Sequence, residues 1–360
     1  MITDKLKITF VLPFAGTDPC GGPKVVYEYA NHLARKGHSV TVVHPALCGI
    51  HKPWIKRAKA AIRFVQRSID GSYRPDNWFQ VDPKVRLMWA WSLAERYIPD
   101  ADVVIATWWE TAELVNSYAG AKGRPFYLIQ HLETWEGHED RVYATWKMPL
   151  KKIVIAQWLR DIANGLSESS VLIPNGLDFQ RFRMDALPQD RNSNQIMMLF
   201  HNHDWKGSTD GLEALSIVKR QTPELRVTLF GTSLAPPNLP DWIEYHQKPP
   251  QTRLRELYNQ TAIFLAPSWN EGWPLPPAEA MMCGAALVAT DIGGHREYAA
   301  HEETALLSPP KDPNGLAKNL LRLIRDKDFR IQLATQGNQH IQQFTWDRAV
   351  DRFEVALRES

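Results

Sequence analysis

Short apolar stretches and helix-like stretches take turns along the whole chain, and this alternation limits the fold more than any other feature. Residues 8–12 lead through a loop holding Gly16, Gly21 and Gly22 into a helical pattern over 25–35, and Gly37 separates that pattern from the next apolar stretch, 39–43. Pro23 falls where a helix's first turn tolerates proline, because the N–H it lacks would have no partner there. Further strands are predicted over 103–106, 126–129, 153–155 and 171–173, then over 196–200, 227–230, 263–266 and 286–289. Helices are predicted near 313–325 and 329–344, with a last amphipathic helix over 346–357. Strands spaced by helices in this way build parallel sheets covered by helices.

At 360 residues the chain is too long for one ordinary core, and two domains are expected. The turn IPNGLD, 173–178, closes the first half, and the polar stretch 185–194 with Pro188 inside it reads as a linker. The expected parts are 1–184, 195–344 and a terminal helix within 345–360. Two doubly wound domains facing a cleft would hold ligands at the carboxyl ends of their strands, where every candidate residue below lies. Net charge is +2, so no overall field draws nucleic acid. Cys20, Cys48 and Cys283 are an odd number without C-x-x-C pairing, which argues against disulfides and structural zinc and for a reducing compartment. The opening MITDKLKITFVLPFAG mimics a signal peptide loosely, but Asp4 and Pro13 spoil it, and it reads as a first strand. No apolar segment approaches membrane-spanning length, so a cytoplasmic location is expected.

The densest chemistry lies in EGWPLPPAE, where Glu271 and Glu279 stand eight positions apart. The second carboxylate is expected to open a helix over 278–283 that Gly284 ends, before the strand 286–289 and the Gly293-Gly294 turn. A carboxylate accepts hydrogen bonds from vicinal hydroxyls, and a helix N-terminus offers backbone N–H groups to an anion. One loop of this kind can therefore hold a sugar and a phosphate together. Lys206-Gly207, in HNHDWKGS, follows a strand, and an ammonium fixed there can neutralise charge on a leaving diphosphate. Gly21 and Gly22 let backbone approach a pyrophosphate at the next helix terminus. His131 opens HLETWEG after the strand YLIQ, with Glu133 beside it. A lone histidine after a strand is more often structural than catalytic, and the functional reading here rests on its agreement with the rest of the pattern. No GxGxxG is present, which disfavours a dinucleotide fold.

In this order, GGPKVVYEYANHLARKGHSV, IPNGLD, Lys206-Gly207, EGWPLPPAE and the FTW near the end resemble the retaining glycosyltransferases of family 4, which have the GT-B fold. The resemblance spans nearly the whole chain. It implies two Rossmann-like domains, the second binding a nucleotide sugar, and a C-terminal helix that crosses back to the first. It implies hexosyl or deoxyhexosyl transfer to a glycan or lipid-linked acceptor in polysaccharide or glycolipid assembly, with no cofactor and no required metal. By the same resemblance Lys206 stabilises the diphosphate, Glu271 orients sugar hydroxyls and Glu279 holds the ribose. Gly21, Gly22, Gly272, Trp273 and Leu275 complete the donor site, and His131 stands at the reacting centre with Glu133 on the acceptor side. The chain departs from the family in two places. Relatives carry an Arg about five residues before the Lys, where this chain has His201 and His203; Lys206 acts alone there, or with an arginine such as Arg296. Trp273-Pro274 replaces the usual Phe-Gly, and Pro274 removes one backbone donor. Trp273 either stacks on a sugar or fills the wall. A sugar-nucleotide epimerase and a non-catalytic nucleotide-sugar-binding protein remain the alternatives.

The stretch 51–67 holds Lys52, Lys56, Arg57, Lys59, Arg63 and Arg67 and no acid. Trp54, Ala58, Ile62 and Val65 recur at helical spacing. This pattern is that of a helix lying on an anionic membrane surface, on the inner face of the cell membrane, or of a packed helix with a solvated basic face.

Overall fold

The computed structural model describes residues 5–49 and 53–359, which form two compact units. One unit takes the residues up to Gly176 together with those from Trp346 onward, and the other runs from Leu177 to Thr345. The first unit contains β1 (Lys7–Val11), α1 (Gly21–Arg35), β2 (Ser39–Leu47), α2 (Trp54–Asp70), β3 (Arg86–Ser92), β4 (Val103–Ala106) and α3 (Trp109–Val115). It continues with β5 (Arg124–Ile129), α4 (Glu139–Trp146), β6 (Lys151–Val154), α5 (Gln157–Gly165) and β7 (Ser170–Leu172). Its strands pair in parallel in the order β3-β2-β1-β4-β5-β6-β7. Helices cover both faces of the central strands, so β4, VVIA, is buried at every position instead of alternating.

The second unit contains β8 (Gln195–Leu199), α6 (Ser208–Gln221), β9 (Arg226–Gly231), β10 (Ile243–Gln247), α7 (Gln251–Gln260) and β11 (Ile263–Ala266). Then come α8 (Leu275–Met282), β12 (Ala286–Thr290), α9 (Gly293–Arg296), β13 (Ala305–Ser308), α10 (Pro313–Arg325) and α11 (Lys327–Ile341). Its parallel order is β10-β9-β8-β11-β12-β13. Both sheets grow outward from their first strand and then reverse to its other side. Each reversal, beside β1 and β4 or beside β8 and β11, leaves a crevice at the strands' carboxyl ends.

The last helix, α12 (Trp346–Arg358), follows the second unit in sequence but packs on α1 of the first. Phe353 stacks on Tyr29 at 4.2 Å and Trp346 meets the same ring edge-on at 5.2 Å. Lys36 donates to Glu354 at 2.9 Å, which ties the end of α1 to α12. A Cβ at Gly176 would lie 2.5 Å from the Trp346 Cα, so the chain's close pass at this point requires glycine.

The polar stretch 185–194 lies inside the second unit and not between the two. Its Arg191 is buried, with Nη1 donating to the carbonyls of Tyr258 and Thr261 at 3.2 and 2.8 Å and Nη2 to that of Ala186 at 2.7 Å. Two helices start earlier than the sequence pattern indicates: α1 at Gly21 and α8 at Leu275. His51 and Lys52 of the basic stretch lie outside the described residues.

Candidate functional site

β8 and β11 are neighbours, so the loops that leave their carboxyl ends emerge side by side at the reversal of the second sheet. The first loop carries Lys206 and the second Glu271. They are stitched together by backbone, since the Trp269 N–H donates to the Trp205 carbonyl at 2.7 Å. The Lys206 ammonium donates to both Glu271 oxygens, at 2.8 and 2.9 Å, and the Ser268 hydroxyl donates to Oε1 at 2.9 Å. Two glycines make this approach possible. Gly207 has φ +63°, and a Cβ on it would overlap the Pro267 carbonyl. A Cβ on Gly294, at the start of α9, would stand 2.5 Å from the Glu271 carbonyl oxygen. The site is thus an ammonium beside a carboxylate, each held by loops packed too closely for side chains.

Beyond Glu271 the structure corrects the expected helix. α8 begins at Leu275, and Glu279 sits within it and does not open it. The first four N–H positions of a helix have no internal partner; here they fall on Pro274, Leu275, Pro276 and Pro277, so Leu275 alone has an N–H to offer. The three prolines fit there because the helix loses no bond. They also leave a helix terminus nearly without donors for an anion, contrary to the expectation. Ala278 follows these four, and its N–H belongs to the helix ladder. Glu279 is buried and accepts from the Tyr258 hydroxyl at 3.2 Å. Trp273 is also buried, packed on Tyr298 at 4.9 Å and edge-on against Phe344 at 5.5 Å, so its ring fills the wall. Tyr298 links the loop's parts: its hydroxyl donates to the Pro274 carbonyl at 2.8 Å, and burial, then Glu271 and Glu279, push its phenol well above the ordinary value.

Supports that the sequence reading did not single out lie behind this pair. The Thr290 hydroxyl, at the end of β12, donates to the Ser268 carbonyl. His295 of α9 is fully buried and its Nδ1 lies 2.8 Å from the Thr290 carbonyl. Burial lowers the His295 pKa, so the ring is neutral at pH 7 and the Nδ1 proton goes to that carbonyl. The one signal for it was a histidine directly after the Gly293-Gly294 turn. His201, where an arginine was expected, is likewise uncharged: burial, then the charges of Lys206 and His203, push it down to about 4. It stacks on His203 at 4.6 Å, and His203 on Trp205 at 4.1 Å. Arg296 does not join Lys206 but forms a two-pronged pair with Asp291 at 2.6 and 2.7 Å.

In the first unit the candidates behave differently. Gly21 and Gly22 are the first residues of α1 and not of the loop before it, and no side chain caps that terminus. A Cβ on Gly21 would meet nothing within 4 Å, and on Gly22 only Gln130 at 3.5 Å, so internal packing does not demand either glycine. His131, after β5, sits in an aromatic setting, edge-on to Trp135 at 4.9 Å and to Trp158 at 5.6 Å. Its Nδ1 lies 3.0 Å from the Leu132 carbonyl. Glu133 is turned inward. It is buried, and its Oε2 accepts from the Trp109 N–H at 2.8 Å, capping α3, and from the Tyr127 hydroxyl at 3.4 Å. That arrangement replaces the expected acceptor contact, because a buried carboxylate is spent on the helix terminus it stabilises.

Residues 180–340 match the sequence family of glycosyl transferases group 1. The match covers the second unit's sheet, the loops bearing Lys206 and Glu271, and α8 with Glu279. A D-inositol 3-phosphate glycosyltransferase of Salinispora tropica is 36% identical over 104 residues, 28% of this chain and 22% of the relative. One from Thermobispora bispora is 27% identical over 167 residues, 41% of this chain and 39% of the relative. The chain thus aligns with well under half the length of either relative. Among solved structures, sucrose-phosphate synthase from Thermosynechococcus elongatus superposes with a TM-score of 0.74 over 99% of both chains, at 18% identity. Anabaena HepE in complex with UDP-glucose gives 0.74 over 99% of this chain and all of the other, at 14% identity. At these identities the likeness is one of fold, and the fold is GT-B.

Proposed function

We propose that the chain moves a sugar from a nucleotide-sugar donor to an acceptor hydroxyl, with the donor on the second unit. The carrying observation is the Lys206–Glu271 pair at the reversal of the second sheet, within the residues that match group 1 glycosyl transferases. The ammonium attracts a diphosphate, and the carboxylate next to it accepts from sugar hydroxyls. Diphosphate and sugar are adjacent in a nucleotide sugar, as the two side chains are here. As negative charge grows on the leaving diphosphate, Lys206 is drawn from Glu271 toward it, and the stabilisation is greatest in the transition state. The loop's rigid glycine and tyrosine supports keep reorganisation small. Glu279 is the ribose ligand in this reading, with Gly272 and Leu275 lining the donor, and His131 receives the acceptor side. UDP-glucose in HepE supports a uridine diphosphate sugar as the first donor to try.

The transferred group is a hexosyl or deoxyhexosyl unit and the anomeric configuration is retained, with the leaving phosphate taking the acceptor proton. The acceptor is a glycan or lipid-linked sugar in polysaccharide or glycolipid assembly, met on the cytoplasmic side of a membrane. No metal is required. The test is incubation with candidate nucleotide sugars and acceptors, followed by NMR of the product. Transfer with a retained anomeric coupling is expected, also with EDTA present. Epimerised donor without transfer, or binding without turnover, would replace the proposal with one of its alternatives.

A further inference from the structure

We propose that α2 docks the first unit on an anionic lipid bilayer. A surface helix ordinarily turns its apolar stripe to the core. α2 does the reverse. Ala60 is its buried residue, and Phe64 on the same side stacks on Trp89 at 6.0 Å and meets Trp91 edge-on at 5.7 Å. The Trp89 indole N–H donates to the Phe64 carbonyl at 3.0 Å, and this narrow seam fixes the helix on β2 and β3. The large apolar residues lie away from the seam. Trp54, Ile62 and Ile69 are 77%, 70% and 83% exposed, and Ile55 and Val65 are exposed with them. At about 100° per residue, Trp54, Ala58, Ile62, Val65 and Ile69 form one line along the helix. Lys56, Lys59, Arg63 and Arg67 lie largely on the opposite side of the helix from that line, Arg67 over the Trp89 ring, and no carboxylate interrupts the helix before Asp70.

A contiguous outward apolar stripe marks an interaction surface. The cations decide its chemistry. A bilayer presents anionic headgroups above an apolar layer, which matches a helix with one apolar face and a polar face rich in Lys and Arg. Trp54, at the helix start, has the amphipathic ring that favours that boundary. The surface lies outside the donor site, so this inference stands or falls separately from the transfer reaction.

The experiment is co-sedimentation of the full chain with vesicles of phosphatidylcholine alone or mixed with phosphatidylglycerol, at low and high salt. Binding to the mixed vesicles is expected, weakening as salt screens the charges. The combined substitutions Lys56→Glu, Lys59→Glu and Arg63→Glu should lower partitioning at least about 100-fold, since each basic residue contributes about fivefold and reversal adds repulsion. Ile62→Ser with Ile69→Ser should lower it at least about tenfold through lost apolar burial. Both variants change exposed positions, and circular dichroism and turnover on a soluble acceptor should match wild type. Absence of vesicle binding, or equal binding to neutral and anionic vesicles, overturns the proposal. So does concentration-dependent dimerisation that Ile62→Ser abolishes, which would assign the stripe to a second copy.

Discussion

The two sheets reverse in the same way, yet what stands at the two reversals differs. Beside β8 and β11, a lysine and a glutamate from different loops meet at 2.8 Å. Beside β1 and β4, two threonines bond to backbone: the Thr107 hydroxyl donates to the Val11 carbonyl at 2.8 Å, and Thr111 accepts from the Thr107 and Trp108 N–H groups at 3.0 Å. The first unit's only sequence-predicted carboxylate, Glu133, caps a helix, and His131 stands among tryptophans. Topology supplies a crevice in both units, and at the second a lysine and a glutamate are held against each other. Fold likeness therefore locates where to look and leaves the chemistry to side chains.

The largest expected effect is at the charged reversal. Lys206→Ala should lower kcat/KM by roughly 10²–10³-fold, the scale for losing one preorganised electrostatic donor. Steady-state kinetics on the folded variant measures it. Turnover close to wild type would remove Lys206 from the mechanism and erase the contrast between the units.

The glycines sharpen the contrast. Gly294→Ala places a Cβ 2.5 Å from the Glu271 carbonyl oxygen, so the carboxylate loop must shift. A displacement near 1 Å at a reacting group costs about 10²-fold in rate. Gly21→Ala adds a Cβ where nothing lies within 4 Å, and the fold should keep its thermal midpoint. Kinetics and melting of both variants are the measurements. If Gly294→Ala leaves kcat/KM untouched, the close packing behind Glu271 has no catalytic consequence.

Carboxylates of the two units should also separate by what they lose. Glu279→Gln is expected to raise KM for the donor with kcat nearly unchanged, because a ribose contact is common to ground and transition states. Glu133→Gln should instead destabilise the first unit by about 1 kcal/mol, the usual value of a helix cap, with KM for the donor unaltered. Isothermal titration with the nucleotide and thermal melting distinguish these outcomes. Loss of donor affinity in the Glu133 variant would contradict its structural assignment.

Much of this was readable in the sequence, for identifiable reasons. The central strands are buried on both faces and appear as unbroken apolar runs, as 103–106 and 263–266 do. Three strands went unpredicted, β3, β10 and β13, and all lie at sheet edges, although β13, ALLS, is buried at three of its four positions and is missed for the shortness of its apolar run. β10, IEYHQ, reads as polar sequence. Lys206, Glu271 and Glu279 could be nominated from loop position, but their partners depend on chain crossings that no local window contains. His295 and Thr290 support Ser268 from another strand. The direction of a glutamate is hidden for the same reason: Glu133 follows a strand as Glu271 does, and only the fold turns it inward. The 185–194 stretch looked like a linker because its composition is polar, and three of the four carbonyls that hold the buried Arg191, those of Tyr258, Thr261 and Cys283, are remote from it in sequence.

The smallest effect concerns how the last helix is held. Glu354 of α12 lies 2.9 Å from the Lys36 ammonium and accepts from Arg358 at 2.8 Å, with His38 Nε2 3.2 Å away. Burial alone would raise its pKa, but the hydrogen bonds from Lys36 and Arg358 outweigh that and hold it at about 2. A carboxyl group depressed in the folded state stabilises the fold above its unfolded pKa and loses that contribution as pH falls toward the folded value. The unfolded value is 4.5, so the window runs from there down to about 2. Much of this cluster is at the surface, and solvent limits its worth to about 1 kcal/mol. For a unit of this size that corresponds to roughly 2–4 °C in Tm. Glu354→Gln should therefore melt about that much below wild type near neutral pH, and the gap should narrow as the buffer is taken below 4.5. High salt should shrink it at every pH. A gap that stays constant through that window would mean that α12 is held by Phe353 and Trp346 packing on Tyr29, with the ion cluster contributing nothing measurable.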